Sequence, residues 1–331
     1  MINRPSAKSI ALDQAIWIPV KRDKACKLQA LTGFEGSFYQ LNVSDDQLIG
    51  IYSLRAKSEK LFIKILDASV LETQLYAEKV ARHLFERSIT TIRCLEGYPE
   101  YNQSHDVVVL VYPFIKNKYI DTSADNMRLL GAELGRLHQA LKTFPDEAVI
   151  KKNSMLHLER CLSNRETLIK NLTSIGADTQ FLEETIELKI ADSFMSSPQI
   201  IHGDLNYGNI LQSSREKTSI IFIDFEETTR SYFSPMVDVA MIIERFIKIS
   251  LVQHDDRLAS FKKGYINETG AWFNTPDQFP DILRSLSARA LLLLAAGYEE
   301  TNQTWRLKEQ SKFLELHHDA MMYFKRSTNW Q

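Results

Sequence analysis

Cysteine is scarce in this chain of 331 residues: Cys26, Cys94 and Cys161 stand far apart. No C-x-x-C pair exists to hold a metal or run redox chemistry, and three scattered thiols make no disulfide framework, which fits a reducing compartment. Glycine and proline are few, at 12 and 9, so collagen-like and low-complexity classes are out. Long apolar runs are missing too. The longest, 107–115 and 290–296, fall far short of the roughly 20 residues that span a bilayer. Residues 1–13 carry charges and no apolar stretch of signal-peptide length. A cytoplasmic protein with no membrane partner is expected. Charge of one sign is also lacking, since 40 Lys and Arg face 42 Asp and Glu. The balance withdraws the basic surface on which nucleic-acid binding rests, and no nucleic-acid partner is expected. Nothing in these counts speaks to the oligomeric state.

What is present reads as globular, with 44% hydrophobic and 25% charged residues. At roughly 150 residues per domain, the length suggests two domains or one large bilobal unit. The first part is β-rich. Short strand-like segments at 27–30, 38–43, 48–54 and 61–66 are separated by turn-forming stretches at 33–36, 44–46 and 56–59. A helix is expected over 68–87, with Leu71, Leu75, Val80, Leu84 and Phe85 close to one period. The Val-rich run 107–115 predicts a strand buried on both faces. From there the pattern turns helical: 125–141, with Leu129, Leu130, Leu134, Leu137 and Leu141 in a stripe, then 156–194, 283–298 and 305–324. A β-like island at 200–201, 210–211 and 220–223 interrupts it. The fold class expected is α+β: a small antiparallel β lobe with one main helix, 1–111, then a larger, mostly helical lobe, 112–331.

The most informative stretch is Ile201-His202-Gly203-Asp204-Leu205-Asn206-Tyr207-Gly208-Asn209-Ile210, a polar loop between apolar β-type residues. Fifteen residues after Asn209, Asp224 ends the apolar run Ile221-Phe222-Ile223. Phosphoryl transfer needs a carboxylate to orient the attacking hydroxyl and oxygen ligands to hold Mg²⁺ against the triphosphate. Asp204, Asn209 and Asp224 supply these groups in the order and approximate spacing of kinase catalytic and metal loops.

His202-Gly203-Asp204, Asn209 and Ile223-Asp224-Phe225 together resemble the signature of the aminoglycoside phosphotransferase and choline kinase superfamily, whose members share a protein-kinase-like bilobal fold. The stretch Leu130 to His138 is similar to the family's helix ending in Leu-His, and Asp224-Phe225-Glu226 with Tyr232 and Asp238 looks more like the choline-kinase branch. The resemblance implies the following roles. Asp204 is the catalytic base or hydroxyl-orienting carboxylate. Asn209 and Asp224 are Mg²⁺ ligands, and His202 holds the loop. Gly203 stands where protein kinases carry an Arg that reads a phosphorylated activation loop, so that switch is not expected. Lys64, in the strand-like Phe62-Ile63-Lys64-Ile65, contacts the α- and β-phosphates of ATP and pairs with a helix Glu. Glu72 and Glu78 are the candidates, Glu78 being nearer the family spacing.

By the same analogy Gly36 and Ser37, in the stretch 33–37 between two strand-like runs, belong to a hairpin covering the phosphates; an ordinary turn is the other reading. The Tyr112 carbonyl and the Phe114 N–H bind adenine at a hinge. Glu226, Glu227, Tyr232, Tyr298 and Trp305, with Trp272, Glu244, Glu299 and Glu300 nearby in sequence, suit a small cationic acceptor bearing a hydroxyl group. Asp238 caps the catalytic loop and His138 is a core residue. The function implied is an ATP- and Mg²⁺-dependent small-molecule kinase for an aminoglycoside-, choline- or other amino-alcohol-like acceptor. A protein Ser/Thr kinase of the same fold and a nucleotide-binding pseudokinase serving as an interaction module are the alternatives. Retention of Asp204 argues against the last, because a mere binder needs no hydroxyl-orienting carboxylate.

Overall fold

The computed structural model describes residues 16–41, 48–57, 59–163, 165–174, 195–213, 220–247 and 255–273, together with 282, 285, 286, 289 and 292. The helix expected over 305–324 lies outside the described residues. So do 175–194 and most of 283–298. Two compact units emerge: one comprises Met1–Asp121 with Tyr207–Glu226, the other Thr122–Asn206 with Glu227–Gln331.

The first unit is built on an antiparallel sheet in the order β1-β2-β3-β4-β6-β5. Its strands are β1 (Ile18–Pro19), β2 (Ser37–Gln40), β3 (Gly50–Arg55), β4 (Lys60–Asp67), β5 (Glu100–Asn102) and β6 (Val107–Pro113). Strand alternation sorts β4 into two faces. Leu61, Ile63 and Ile65 enter a core with Leu28, Leu31, Phe38, Tyr52, Leu54, Val107, Val109 and Val111. Phe62 and Lys64 therefore point to the other face. β6 has Val107 to Val111 buried throughout, as its unbroken apolar run predicts.

The residues expected as a first strand, 27–30, lie instead inside helix α1 (Arg22–Thr32). Leu28 and Leu31, three apart, bury together in the sheet core, and Gly33 ends the helix in a left-handed conformation (φ 68°), its N–H donating to the Gln29 carbonyl at 2.9 Å. Four apolar or long residues in a row carried the strand reading; the helical stripe shows only across the wider window. The stretch 33–36 thus joins a helix to a strand and is not a hairpin. The hairpin is β2–β3, whose connecting residues 42–47 lie outside the described residues. Helix α2 (Leu71–Glu86) buries Gln74, Ala77, Val80, Ala81 and Leu84 and leaves Leu75 and Phe85 exposed, which accounts for the imperfect phase of its apolar pattern. A second sheet, β10-β9-β7, uses β7 (Asn117–Tyr119), β9 (Ile210–Ser213) and β10 (Ile220–Phe222).

The second unit is mostly helical. It contains α3 (Ala124–Leu141), α4 (Glu147–Ser163), α5 (Arg165–Ser174), α6 (Met236–Ile242) continued by a π-helical turn (Ile243–Ile247), and α7 (Asp255–Thr269). A two-stranded ribbon pairs β8 (Gln199–Ile200) with β11 (Tyr232–Phe233). Ser123 caps α3, its hydroxyl accepting from the Asn126 N–H, and Met127, Leu130, Leu134, Leu137 and Leu141 form its buried stripe. Glycines set the approach of α3 to α7. A Cβ on Gly264 would stand 2.0 Å from the Arg128 carbonyl oxygen, and one on Gly131 2.1 Å from that of Phe261. The two backbones touch where no side chain fits.

Candidate active site

The hairpin β9–β10 delivers the two expected metal ligands. Ile210 pairs with Phe222, and the next rung is held by the Ile223 N–H donating to the Asn209 carbonyl at 3.1 Å. Asn209 and Asp224 therefore leave the same end of one hairpin. Asp224 has φ 70°, a conformation a non-glycine residue rarely takes, and this breaks the strand alternation at the point where the carboxylate is aimed. Its Oδ1 lies 2.8 Å from Lys64 Nζ, which donates to it. Glu226 Oε1 stands 3.6 Å from the same ammonium and accepts from Gln74 Nε2 at 2.7 Å. Burial works against the Lys64 charge, but the Asp224 and Glu226 carboxylates outweigh it and raise the Lys64 pKa. Burial raises the Glu226 pKa, with Lys64 opposing and Asp224 adding to the rise.

Glu78, expected as the partner of Lys64, turns elsewhere. Its carboxylate accepts the Cys94 N–H at 2.9 Å. The Tyr112 hydroxyl shares that neighbourhood, and burial, then Cys94 and Glu78, push its pKa well up. Glu72 is exposed. Ser37 is the exposed first residue of β2, opposite Arg55, and Gly36 beside it approaches the Arg55 carbonyl so closely that a Cβ would sit 2.5 Å from the oxygen. At the expected hinge, the Phe114 N–H is committed to the Lys60 carbonyl at 3.0 Å. The Val111 carbonyl, pointing the other way, accepts from the Leu95 N–H at 2.8 Å. Antiparallel alternation then turns the Tyr112 carbonyl toward β4 and the Pro113 carbonyl away from it. Neither expected group, the Tyr112 carbonyl nor the Phe114 N–H, faces outward.

In the helical unit, Asp204 follows His202-Gly203 in a tightly held loop. Asp238, fully buried near the start of α6, accepts the His202 N–H at 2.8 Å on Oδ2 and the Gly203 N–H at 2.9 Å on Oδ1. His138 Nε2 lies 3.1 Å from the same Oδ2, and its Nδ1 2.9 Å from the Tyr265 hydroxyl. Thr228 Oγ1 donates to the His202 carbonyl at 3.0 Å. Gly203 has φ 83°, and a Cβ there would lie 2.2 Å from Ser231 Oγ, so this position admits no side chain. Asp204 itself is half-buried; its Oδ2 accepts from Asn206 Nδ2 at 3.0 Å. Asp238 thus holds the loop from beneath, as expected of it, while His138, a buried residue as expected, in turn engages Asp238. Asp238→Asn leaves one of two buried N–H groups facing an amide donor. The expected loss is about 2–4 kcal/mol of stability together with reduced turnover, read by thermal melting and ADP release; an unchanged melting temperature would contradict the bracing role.

The described residues expected around an acceptor are engaged with partners of their own. Glu227 is bonded to Arg230 and, at 3.1 Å, to Arg289 Nη2. Burial would raise its pKa, but the two guanidinium groups outweigh burial and hold it at about 2. Tyr232 is buried, its hydroxyl donating to Glu147 Oε1 at 2.7 Å and its ring 5.5 Å from the Lys151 ammonium. It lines a cavity of about 730 Å³ with Glu147, Tyr265, Trp272 and Phe273; Asp204 is not among the described lining residues. Glu244 pairs with Arg245 at 3.3 Å. Tyr298, Trp305, Glu299 and Glu300 lie outside the described residues. Gln74 was not anticipated; it is, with His83, one of two polar residues among the buried positions of α2, and that is the signal that marks it. Among the described residues, no group of three or more His, Cys, Asp or Glu is placed to hold a metal, and no helix is long and apolar enough to cross a membrane. A cation bound together with nucleotide phosphates needs only one or two protein oxygens, and Asn209 with Asp224 fits that demand.

An antiparallel sheet with one principal helix carrying a Lys–carboxylate cluster, and a helical unit carrying a braced His-Gly-Asp loop, define a protein-kinase-like phosphotransferase fold. Residues 52–271 match the model of the phosphotransferase enzyme family, and the chain belongs to that family. Among solved structures, the spectinomycin phosphotransferase APH(9)-Ia in complex with ADP and spectinomycin is similar at 16% identity with a TM-score of 0.61, over 92% of this chain and 98% of that one. A GDP and kanamycin complex of APH(2")-IIia aligns at 12% identity and 0.61, over 91% and 99%. The amicoumacin kinase hAmiN in complex with AMP-PNP, Ca²⁺ and Ami aligns at 15% and 0.56, over 90% and 95%. At such identities the likeness is one of fold. No curated protein matches the sequence significantly.

Proposed function

We propose that this chain is an ATP-dependent small-molecule kinase that transfers the γ-phosphate to a hydroxyl of a small, positively charged acceptor. The observation that carries the reading is the cluster Lys64–Asp224–Glu226 at the end of the hairpin that also presents Asn209. In this reading Lys64 steadies the triphosphate, while Asn209 and Asp224 supply oxygens to Mg²⁺, which when bound neutralises charge on the transferring group. Asp204, five residues before Asn209, orients the acceptor hydroxyl. Adenine meets the outward Pro113 carbonyl in place of the Tyr112 and Phe114 groups. A cationic acceptor rests on the resemblance to aminoglycoside and choline kinases; the cavity walled by Glu147, Trp272 and Phe273 does not include Asp204 among its described lining residues and lends it no support. The neighbours' complexes with spectinomycin and kanamycin support a small-molecule acceptor.

The test is an ADP-release screen of the full chain over hydroxylated amines, antibiotics and sugars, with ATP or GTP and with Mg²⁺ or a chelator. Acceptor-dependent ADP release that needs both ATP and Mg²⁺ is expected. Nucleotide binding with no turnover across the whole panel would sink the enzymatic reading in favour of a binding module.

A further inference from the structure

A helix carboxylate was the expected partner of Lys64, yet both of its carboxylates come from a single tripeptide, Asp224-Phe225-Glu226. Phe225, buried between them, anchors that tripeptide. Helix α2 reaches the cluster through a neutral side chain. Gln74 is buried and donates through Nε2 to Glu226 Oε1, the same oxygen that faces the ammonium. An amide bears no net charge and cannot offset an ammonium, so the charge must come from Glu226 or Asp224. Asp224 is also the residue assigned to the cation. Its oxygens cannot serve Lys64 undiminished while they bind a divalent ion, and an ammonium beside that ion is repelled by it. Glu226, which also contacts Asp224, is not one of the residues assigned to the cation.

We propose that Glu226 is a positioning residue of the nucleotide side, not of the acceptor side: held by Gln74, it keeps Lys64 paired and aimed at the phosphates when Asp224 is engaged by the metal. The helix-to-lysine link is thereby inverted. The carboxylate sits after the metal Asp, and the helix contributes only the hydrogen-bond donor that orients it. This inference rests on the kinase reading above.

The experiment measures ATP affinity of the full chain by calorimetry, once in chelator and once with Mg²⁺. Glu226→Gln keeps the shape and an acceptor oxygen but loses the charge, and Mg²⁺–ATP binding is expected to weaken about tenfold. The reciprocal exchange, Gln74→Glu with Glu226→Gln, returns a carboxylate to the cluster from the helix side and is expected to restore most of that affinity, which a purely structural role for either residue would not do. Gln74→Met, which fills the same space without a donor, is the variant to use if Glu226→Gln does not fold, with an expected loss of about threefold. The inference is overturned if Glu226→Gln, or failing it Gln74→Met, binds Mg²⁺–ATP like the parent while Lys64→Ala binds poorly; the kinase reading then survives. It is equally overturned if Glu78→Gln, and not Glu226→Gln, weakens binding. Should Lys64→Ala itself bind normally, the inference and the nucleotide half of the kinase reading fall together.

Discussion

Asp204→Asn is expected to lower turnover by about 10²–10⁴-fold, the range over which a positioned acid–base group contributes, while ATP affinity stays within about twofold of the parent. The reasoning is local. Asp204 belongs to the helical unit, and its bond to Asn206 and the bracing of the preceding residues by Asp238 do not involve Lys64, Asn209 or Asp224. Replacing one carboxylate oxygen by an amide keeps an acceptor for Asn206 and removes the negative charge that would orient a hydroxyl. Acceptor-dependent ADP release and calorimetric ATP binding, measured on the same preparation, separate the two effects. Undiminished turnover in the variant would remove Asp204 from the chemistry.

The second large effect concerns stability. Gly264→Ala brings a methyl group to within 2.0 Å of the Arg128 carbonyl and 2.9 Å of the Ala132 nitrogen. In an isolated helix the change would favour folding by about 1 kcal/mol. Here the obstacle is backbone on a neighbouring helix, which cannot rotate away, so α3 and α7 must separate. Overpacking of this kind costs about 1–3 kcal/mol and occasionally more, and a net loss of about 3 kcal/mol is expected. At about 2–4 °C per kcal/mol for a protein of this size class, the melting temperature should fall by roughly 6–12 °C. Asn267→Ala, at an exposed position of the same helix, should change it by less than about 2 °C. Equal melting temperatures for the two variants would show that α3 and α7 are not packed backbone to backbone.

The sequence by itself determined the family and the fold class, and it holds the short motif on which the proposed role of Asp204 rests. It could do so because each of those is written in short-range terms. His202-Gly203-Asp204, Asn209 and Asp224 sit within twenty-three consecutive positions, and the β4 and β6 strands and the α3 stripe are periodic over a single element. Asp238 is the exception: its bonds to the His202-Gly203 loop span 36 and 35 positions, and only the resemblance to the family, not any local pattern, pointed to it as a cap.

The tertiary structure decided what depends on contacts between distant segments. Residues 27–30 became helix because Leu28 and Leu31 find the sheet core, a burial no four-residue window can register. Lys64 lies 160 positions from Asp224, and Gln74 lies 152 from Glu226. Whether the lysine's second carboxylate comes from α2 or from the segment after β10 is settled by which side chains the sheet face, the helix and the hairpin bring to one point, and spacing along α2 carries no record of it. The Tyr112 carbonyl and the Phe114 N–H do not face outward because antiparallel parity, fixed by the Phe114–Lys60 and Leu95–Val111 hydrogen bonds, turns both toward β4. Periodicity along a chain encodes which face of an element is buried; it does not encode which partner that face will meet.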